Sequence, residues 1–488
     1  MRKRSRSLRM YLFVFLSVIG TAGLFFCSTG LKGIGFLLFL APLPVMALAD
    51  RPSSKLTFVG SFVAYALGAL NLVGYQLIFV PVVLIMVTML VSAAVFGLSV
   101  VVTRRAALGS MPWLAVFVFP SMWTAYEFLM SLNPSNGTSR SFAYTQTSFL
   151  PLIQIASLTG IAGITFVVTL VPAAAAVMWY NRKARKELLI RIAFAPVALI
   201  AFVIIFGFFR LGGTTSGEPV KVSLAVCDTS IGHLDRTDIR EALPIAEAYG
   251  RRASRLFERN AQIVVLPEEI VGLTQNFDTT IYSLFEKVPG QWGGTLVAGF
   301  RKSGISGIVN EAVVFTPHQK PFHYIKTHLV PGFERNLISG GKPLVFRCDS
   351  LILGVQICRD MDFPSWSREY GLLDVRILLV PAWDVVADGF VHSRMAVMRG
   401  VENGFTVVRC AERGLLTASD CRGRIIAEEP SGPEATLETL VFPGTGRTFY
   451  STAGDWFSWL NILMAGGLLL KIFKHRKENG MQSGNLGR

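Results

Sequence analysis

The chain has 488 residues, 51% of them hydrophobic and only 16% charged, with a formal net charge of +15. That balance excludes an ordinary soluble protein and points to membrane spans. The basic excess sits largely at the ends of apolar runs, with no basic–aromatic fingerprint, so no nucleic-acid partner is expected.

Eight apolar runs follow in order, at about 10–27, 31–49, 56–75, 77–102, 112–131, 159–180, 190–210 and 457–473. Each approaches the roughly 20 residues that cross about 30 Å of hydrocarbon. The second carries Pro42 and Pro44 near its end, and the eighth is short enough to lie at the interface. The first has no small-x-small cleavage site, and bulky Phe26 before Cys27 argues against lipid attachment, so an uncleaved span is expected.

Basic residues orient the spans. Arg2, Lys3, Arg4, Arg6 and Arg9 precede the first, and Arg51 and Lys55 follow the second. Arg104 and Arg105 follow the fourth, while Arg182, Lys183, Arg185 and Lys186 follow the sixth. Lys471, Lys474, Arg476 and Lys477 close the eighth. With every span crossing, these share one side, which the positive-inside rule makes the cytoplasm. The expected organisation is a membrane domain over 1–213 with about seven helices, an extracytoplasmic domain over 217–450, a final span over 455–473 and a cytoplasmic tail over 474–488.

The segment 217–450 reads as a layered α/β domain with a buried sheet. Residues 220–227 alternate as a strand, and 238–259 repeat apolar residues as an amphipathic helix. Strands are predicted at 263–266, 294–300, 308–316, 321–326, 344–348, 351–358, 375–381, 404–410 and 423–427, with a helix at 390–402. The cysteines (Cys27, Cys227, Cys348, Cys358, Cys410, Cys421) form no CxxC pair or Cys/His cluster at metal spacing. Neither a metal nor an organic cofactor is indicated, and a domain this large needs no disulfide scaffold.

Three predicted strands end in chemistry. Val265-Leu266-Pro267-Glu268 puts a carboxylate at a sheet rim, where desolvation raises its pKa toward that of a general base. A solvated loop acid would look the same. Lys326 closes an apolar strand before Leu329-Val330-Pro331, where a buried ammonium can neutralise an oxyanion or thiolate. A snorkelling surface lysine is the plainer reading. Cys358 closes Leu351–Ile357 and is followed by Arg359-Asp360, so it stands where buried meets exposed, as a nucleophile must. A lone cysteine is more commonly structural. His328 reads as a structural or rim histidine.

Together these elements are far more specific, and they resemble the nitrilase superfamily, whose members use a Glu-Lys-Cys triad in this order. Along nearly the whole chain the sequence resembles one branch, the apolipoprotein N-acyltransferases. Trp123 and Glu127 in the fifth span, Tyr144-Thr145-Gln146, Gly160-x-x-Gly163-Ile164-x-Phe166, Arg399-x-x-Glu402-Asn403-Gly404 and Thr448-x-Tyr450 echo it. The resemblance implies an α-β-β-α sandwich beside a multi-span helical membrane domain. Glu268 becomes the base, Cys358 the nucleophile, Lys326 the oxyanion stabiliser, and Glu334, Asn310 and Trp383 supporting or substrate-binding residues.

The implied reaction moves an acyl chain from phospholipid to the amine of a lipoprotein's diacylglyceryl-cysteine through a thioester, at the bacterial plasma membrane. The alternative is a membrane-tethered amide hydrolase using the same triad. A monomer is expected, because the membrane helices occupy surfaces through which soluble nitrilase-type domains associate. Three stretches depart from the family pattern: Arg359-Asp360 after the cysteine, Gly332-Phe333-Glu334-Arg335 after the Leu-Val-Pro turn, and Pro381-Ala382-Trp383-Asp384.

Overall fold

A computed structural model describes residues 2–48, 53–109, 111–135, 137–213, 217–227 and 238–485, without the side chains of 2–9, 473 and 475–485. Arg51, the basic side chains before the first span, Arg476, Lys477 and the tail end 486–488 lie outside that description.

Among the described residues, six helices are long and apolar enough to cross a membrane: Met10–Ser28, Ser54–Gln76, Val82–Ala107, Pro112–Ser131, Ile161–Tyr180 and Lys186–Gly212. The helix of the last of these presents Phe194, Val197, Ile205, Phe208 and Phe209 outward, as a lipid-facing surface requires. The run expected at 77–102 starts later, because Pro81 occupies the position before the helix and the chain becomes helical only at Val82.

The second expected span differs most. It forms a 3-10 turn, Gly35–Phe39, then a short helix, Leu43–Leu48. Its two helical pieces are together shorter than the six long helices. The piece packs against the segment Phe142–Gln146, where Gln146 Nε2 donates to the Gly35 carbonyl at 2.8 Å. A Cβ on Gly35 would meet the Thr145 carbonyl oxygen at 1.8 Å, so only glycine permits this approach. The apolar part of the C-terminal helix, Trp456–Ile472, is shorter than the six.

The α/β unit has two sheets. The first runs β13 (Thr436–Val441), β1 (Val220–Ala225), β2 (Ile263–Val265), β4 (Thr295–Gly304), β5 (Gly307–Phe315) and β6 (Phe322–Ile325), with β3 (Val271–Thr274) also on β4. The second runs β12 (Ile425–Pro430), β11 (Leu415–Ser419), β10 (Thr406–Glu412), β9 (Ile377–Trp383), β8 (Leu351–Val355) and β7 (Leu344–Cys348). Strand alternation sorts the side chains. Val265, Val297, Val355 and Leu379 meet in one core between the sheets. Val264, Leu296 and Ala298 pack outward against helices Ile239–Glu258 and Asp278–Trp292. Leu378, Val380 and Val407 pack outward against helices Pro364–Leu372 and Gly389–Asn403. The result is the α-β-β-α sandwich. Met395, Met398 and Val401 on the far side of Gly389–Asn403 join the core of the membrane half, so that helix lies between the two halves.

Candidate active site

Glu268 sits in a gap between two strands that share one edge of β4. Residues Ile263–Val265 pair with Thr295–Val297, and Val271–Thr274 pair with Phe300–Ser303, both in parallel. Between them the chain swings out as Leu266–Ile270, yet stays tied to β4. Leu266 N donates to Val297 O at 2.8 Å, Gly299 N to Pro267 O at 3.0 Å, and Ile270 N to Gly299 O at 2.9 Å. Pro267 has no N–H to offer a ladder, and Glu269 adopts φ 49°, so the loop cannot relax into a strand. A Cβ on Gly299 would stand 2.6 Å from both Glu268 Cα and Pro267 O.

Lys326 follows β6, with its N–H donating to Asn310 O on β5 at 2.9 Å. Its Nζ lies 2.7 Å from Glu268 Oε1 and 3.0 Å from Glu334 Oε2. Asn310 Nδ2 donates to the same two carboxylates, at 2.6 and 2.8 Å. Val330 N holds Glu334 Oε2 at 2.6 Å, fixing the turn after Lys326. Burial disfavours the Lys326 ammonium, but Glu268 and Glu334 outweigh it and hold its pKa well above the usual range. Burial lifts the Glu268 carboxyl, and repulsion from Glu334 adds to the lift against the pull of Lys326. Its second oxygen has no partner among the described residues.

Cys358 follows β8 at φ 43° and opens a short 3-10 turn, Cys358–Asp362. The strand and the following turn thus aim the thiol out of the sheet. Sγ lies 3.3 Å from the Trp383 carbonyl oxygen. Burial raises the thiol pKa well above normal, Glu268 and Asp384 raise it further, and Lys326 and Arg409 oppose. A thiol held protonated in this way becomes nucleophilic only when a base takes its proton. The structure brings Glu268, Lys326, Cys358, Glu334, Asn310 and Trp383 to one place.

Sequence reasoning missed a second set of groups at the same thiol. Arg409 on β10 grips both oxygens of Asp384, at 2.9 and 2.6 Å. His392 on helix Gly389–Asn403 lies beside that carboxylate and Asp388. Cys358 sulfur, an Asp384 oxygen and a His392 nitrogen lie within 4.8 Å of one another. These atom types suit a metal, but both Asp384 oxygens are engaged by a guanidinium, which makes a poor cation site. No motif spacing links these residues; only pairing of β9 with β10 and the helix above them does so.

One cavity of about 1090 Å³ is lined by Glu268, Lys326 and Cys358 and, from the membrane half, by Phe79, Trp123 and Arg140 among others. Residues 21–174 match the family model of the apolipoprotein N-acyltransferase N-terminal domain, and residues 223–449 match the carbon-nitrogen hydrolase model. The chain is 26% identical to the apolipoprotein N-acyltransferase of Geobacter metallireducens, over 96% of each chain. Along nearly its whole length the chain is similar to the apolipoprotein N-acyltransferases. The family member of Thermotoga maritima is 24% identical over 72% of this chain and 70% of its own. Among solved structures, an amidase from Nesterenkonia sp. is similar at 18% identity and TM-score 0.40, over 51% of this chain and 95% of that one. Saccharomyces cerevisiae Nit3, a member of the nitrilase superfamily, is similar at 20% identity and TM-score 0.40, over 47% and 93%. With its six long apolar helices among the described residues, the chain is a multi-pass membrane protein.

Two departures from the family pattern acquire a place here. Arg359 donates to Leu329 O at 2.6 Å and to Ser135 O, in the loop after the Pro112–Ser131 span, at 2.9 Å. It joins the Lys326 turn to the membrane half. Asp360 is fully buried and binds the same turn from the other side.

Proposed function

We propose that the protein transfers an acyl chain from a phospholipid to the amino group of a lipoprotein's diacylglyceryl-cysteine, through a thioester on Cys358. The observation that supports this most is the shared cavity, in which Glu268, Lys326 and Cys358 face the same space as side chains of the membrane helices. A soluble substrate has no need of that continuity, whereas two lipid substrates do.

Glu268 takes the thiol proton as Cys358 attacks the ester carbonyl. Lys326, held by Glu268 and Glu334, stabilises the tetrahedral oxyanion. Collapse releases lysophospholipid and leaves the thioester. The lipoprotein amine attacks next, and Glu268 returns a proton to the departing sulfur. Glu334 and Asn310 keep Glu268 and Lys326 aligned, and Trp383 places a carbonyl against the thiol. We infer an extracytoplasmic site at the plasma membrane and a monomeric chain; with 31–49 and 457–473 also crossing, the positive-inside pattern supports that orientation.

The test is the intact mass of the protein after incubation with phospholipid. An acyl adduct that neutral hydroxylamine removes, and that Cys358→Ala lacks, supports the thioester. Transfer of that label to a diacylglyceryl-cysteine peptide supports the acceptor. Release of free acid alone would favour the amide-hydrolase reading, which the match of residues 223–449 keeps in view.

A further inference from the structure

Glu268 and Lys326 stand on the first sheet, whereas Asp384, His392 and Arg409 belong to the second sheet and the helix covering it. Cys358 couples electrostatically to both sets: Glu268 and Lys326 on one side, Asp384 and Arg409 on the other. Only the first set has a role in the reaction described above.

His392 lies between two carboxylates. Its Nδ1 lies 3.6 Å from Asp384 Oδ1 and its Nε2 3.8 Å from Asp388 Oδ2. Both distances hold an imidazolium by charge but are too long for hydrogen bonds that would tie up its N–H. The carboxylates are fixed by other groups. Arg409 grips Asp384, and Tyr75, in the Ser54–Gln76 helix, donates to Asp388 Oδ2 at 2.7 Å. Burial disfavours the charged ring, but Asp388, Asp362 and Asp384 outweigh burial and the opposing Arg409, and raise its pKa. His392 also lines the cavity.

An ester releases an alkoxide, a far stronger base than a thiolate, so a donor on the leaving-oxygen side speeds its departure while the proton on Glu268 is kept for the sulfur. We propose that His392 is a second catalytic residue, the general acid that protonates the glyceryl oxygen leaving the phospholipid donor. This rests on the thioester reading of Cys358. With a His392 nitrogen within 4.8 Å of Sγ, an oxygen on the carbon that Sγ attacks can enter the donor reach of about 2.6–3.2 Å when it leaves toward the His392 side.

The protons balance. Glu268 takes the thiol proton, Sγ bonds to the ester carbon, the C–O bond breaks, and His392 gives its proton to the departing oxygen. The acceptor arrives as an ammonium and returns one proton to His392. The nitrogen loses a second proton to water as the C–N bond forms, and the sulfur recovers the proton held by Glu268. One proton is released overall, as conversion of an ester and an ammonium to an alcohol and an amide requires.

The test compares two acyl donors on wild type and His392→Gln. Phosphatidylethanolamine vesicles supply an alkoxide leaving group, and p-nitrophenyl palmitate supplies a phenolate that departs without an acid. In His392→Gln, acyl-enzyme formation from the phospholipid is expected to fall about 100-fold or more, in line with general-acid effects. From the aryl ester it should stay close to the wild-type rate, which also certifies a folded site. Equal loss on both donors in a protein that inserts and unfolds like wild type overturns the proposal, as does no loss on either. His392→Ala serves as a second variant with the same expectation. If wild type itself gains no acyl group from phospholipid yet is acylated by the aryl ester, the phospholipid reading fails and takes this inference with it.

Discussion

The carboxylate of Asp360, two residues after Cys358, accepts the backbone N–H of His328, two residues after Lys326, at 2.8 Å. The same carboxylate also accepts from Thr327 N at 3.2 Å, His328 Nδ1 at 3.0 Å, Tyr324 OH at 2.7 Å and Ile357 N at 3.1 Å. One buried side chain therefore couples the turn that carries the lysine to the turn that carries the cysteine. The His328 ring then stacks on Phe363 at 3.8 Å between centroids, which closes the seam.

Asp360→Ala leaves those donors without an acceptor. Each buried, unsatisfied group costs about 1–3 kcal/mol, so a substantial fall in unfolding midpoint and in thioester formation is expected. Asp360→Asn keeps one carbonyl acceptor and should lose less. A midpoint for Asp360→Ala within about 2 °C of wild type would sink the idea.

Lys326→Met strands two carboxylates, Glu268 and Glu334, in a buried site with no cation between them. Breaking a buried pair from one side costs about 3–5 kcal/mol. Removing the repulsion with Glu334→Gln in the same chain should recover part of that loss. Denaturation of the single and double variants measures the recovery, and simple additivity would show that the three groups do not act as one unit.

Glu269 carries the sharpest pH signature. Burial, with repulsion from Glu268 and Glu334, pushes its carboxyl up to about 8, against Arg301 at 4.0 Å. The folded protein then holds this proton where the unfolded chain has lost it. The contribution to stability is whole below the ordinary carboxylate range and drains away as pH rises toward about 8. Glu269→Gln imitates the protonated form, so the variant should gain on wild type as pH rises, by at most about 1.4 kcal/mol per unit. Unfolding curves from pH 5 to 9 that stay parallel would refute the assignment.

Gly299→Ala probes the Glu268 loop without touching a reacting group. Its Cβ would meet backbone atoms at 2.6 Å, so the loop must move away from β4. Misplacing a base by about 1 Å costs roughly 100-fold in rate. Thioester formation should fall by that order while the rest of the sandwich stays folded, and an unchanged rate would mean that the loop adapts.

Much of this molecule is legible in one dimension. Apolar runs of about twenty residues mark the spans, because a bilayer demands that length of helix. Glu268, Lys326 and Cys358 each close an apolar strand, and strand ends are where a buried backbone releases a side chain to a cavity. The shift of one helix to Val82 follows from Pro81, whose effect is local. By contrast, β11 and β13 pass unmarked: β11 is a short run buried nearly throughout and β13 is half-buried along its length, so neither alternates.

The membrane half, the layered α/β half and the strand ends that carry Glu268, Lys326 and Cys358 are set by the sequence alone, because length, alternation and strand ends are properties of neighbouring residues. Tertiary structure alone decided that 31–49 is a broken piece packed on Phe142–Gln146, since the fit depends on Gly35 meeting a carbonyl far along the chain. It alone brought Asp384, His392 and Arg409 to the thiol, and Tyr75 to Asp388, since these contacts cross strands, sheets and the boundary between the two halves. Long-range contacts of that kind leave no periodic trace in a single sequence.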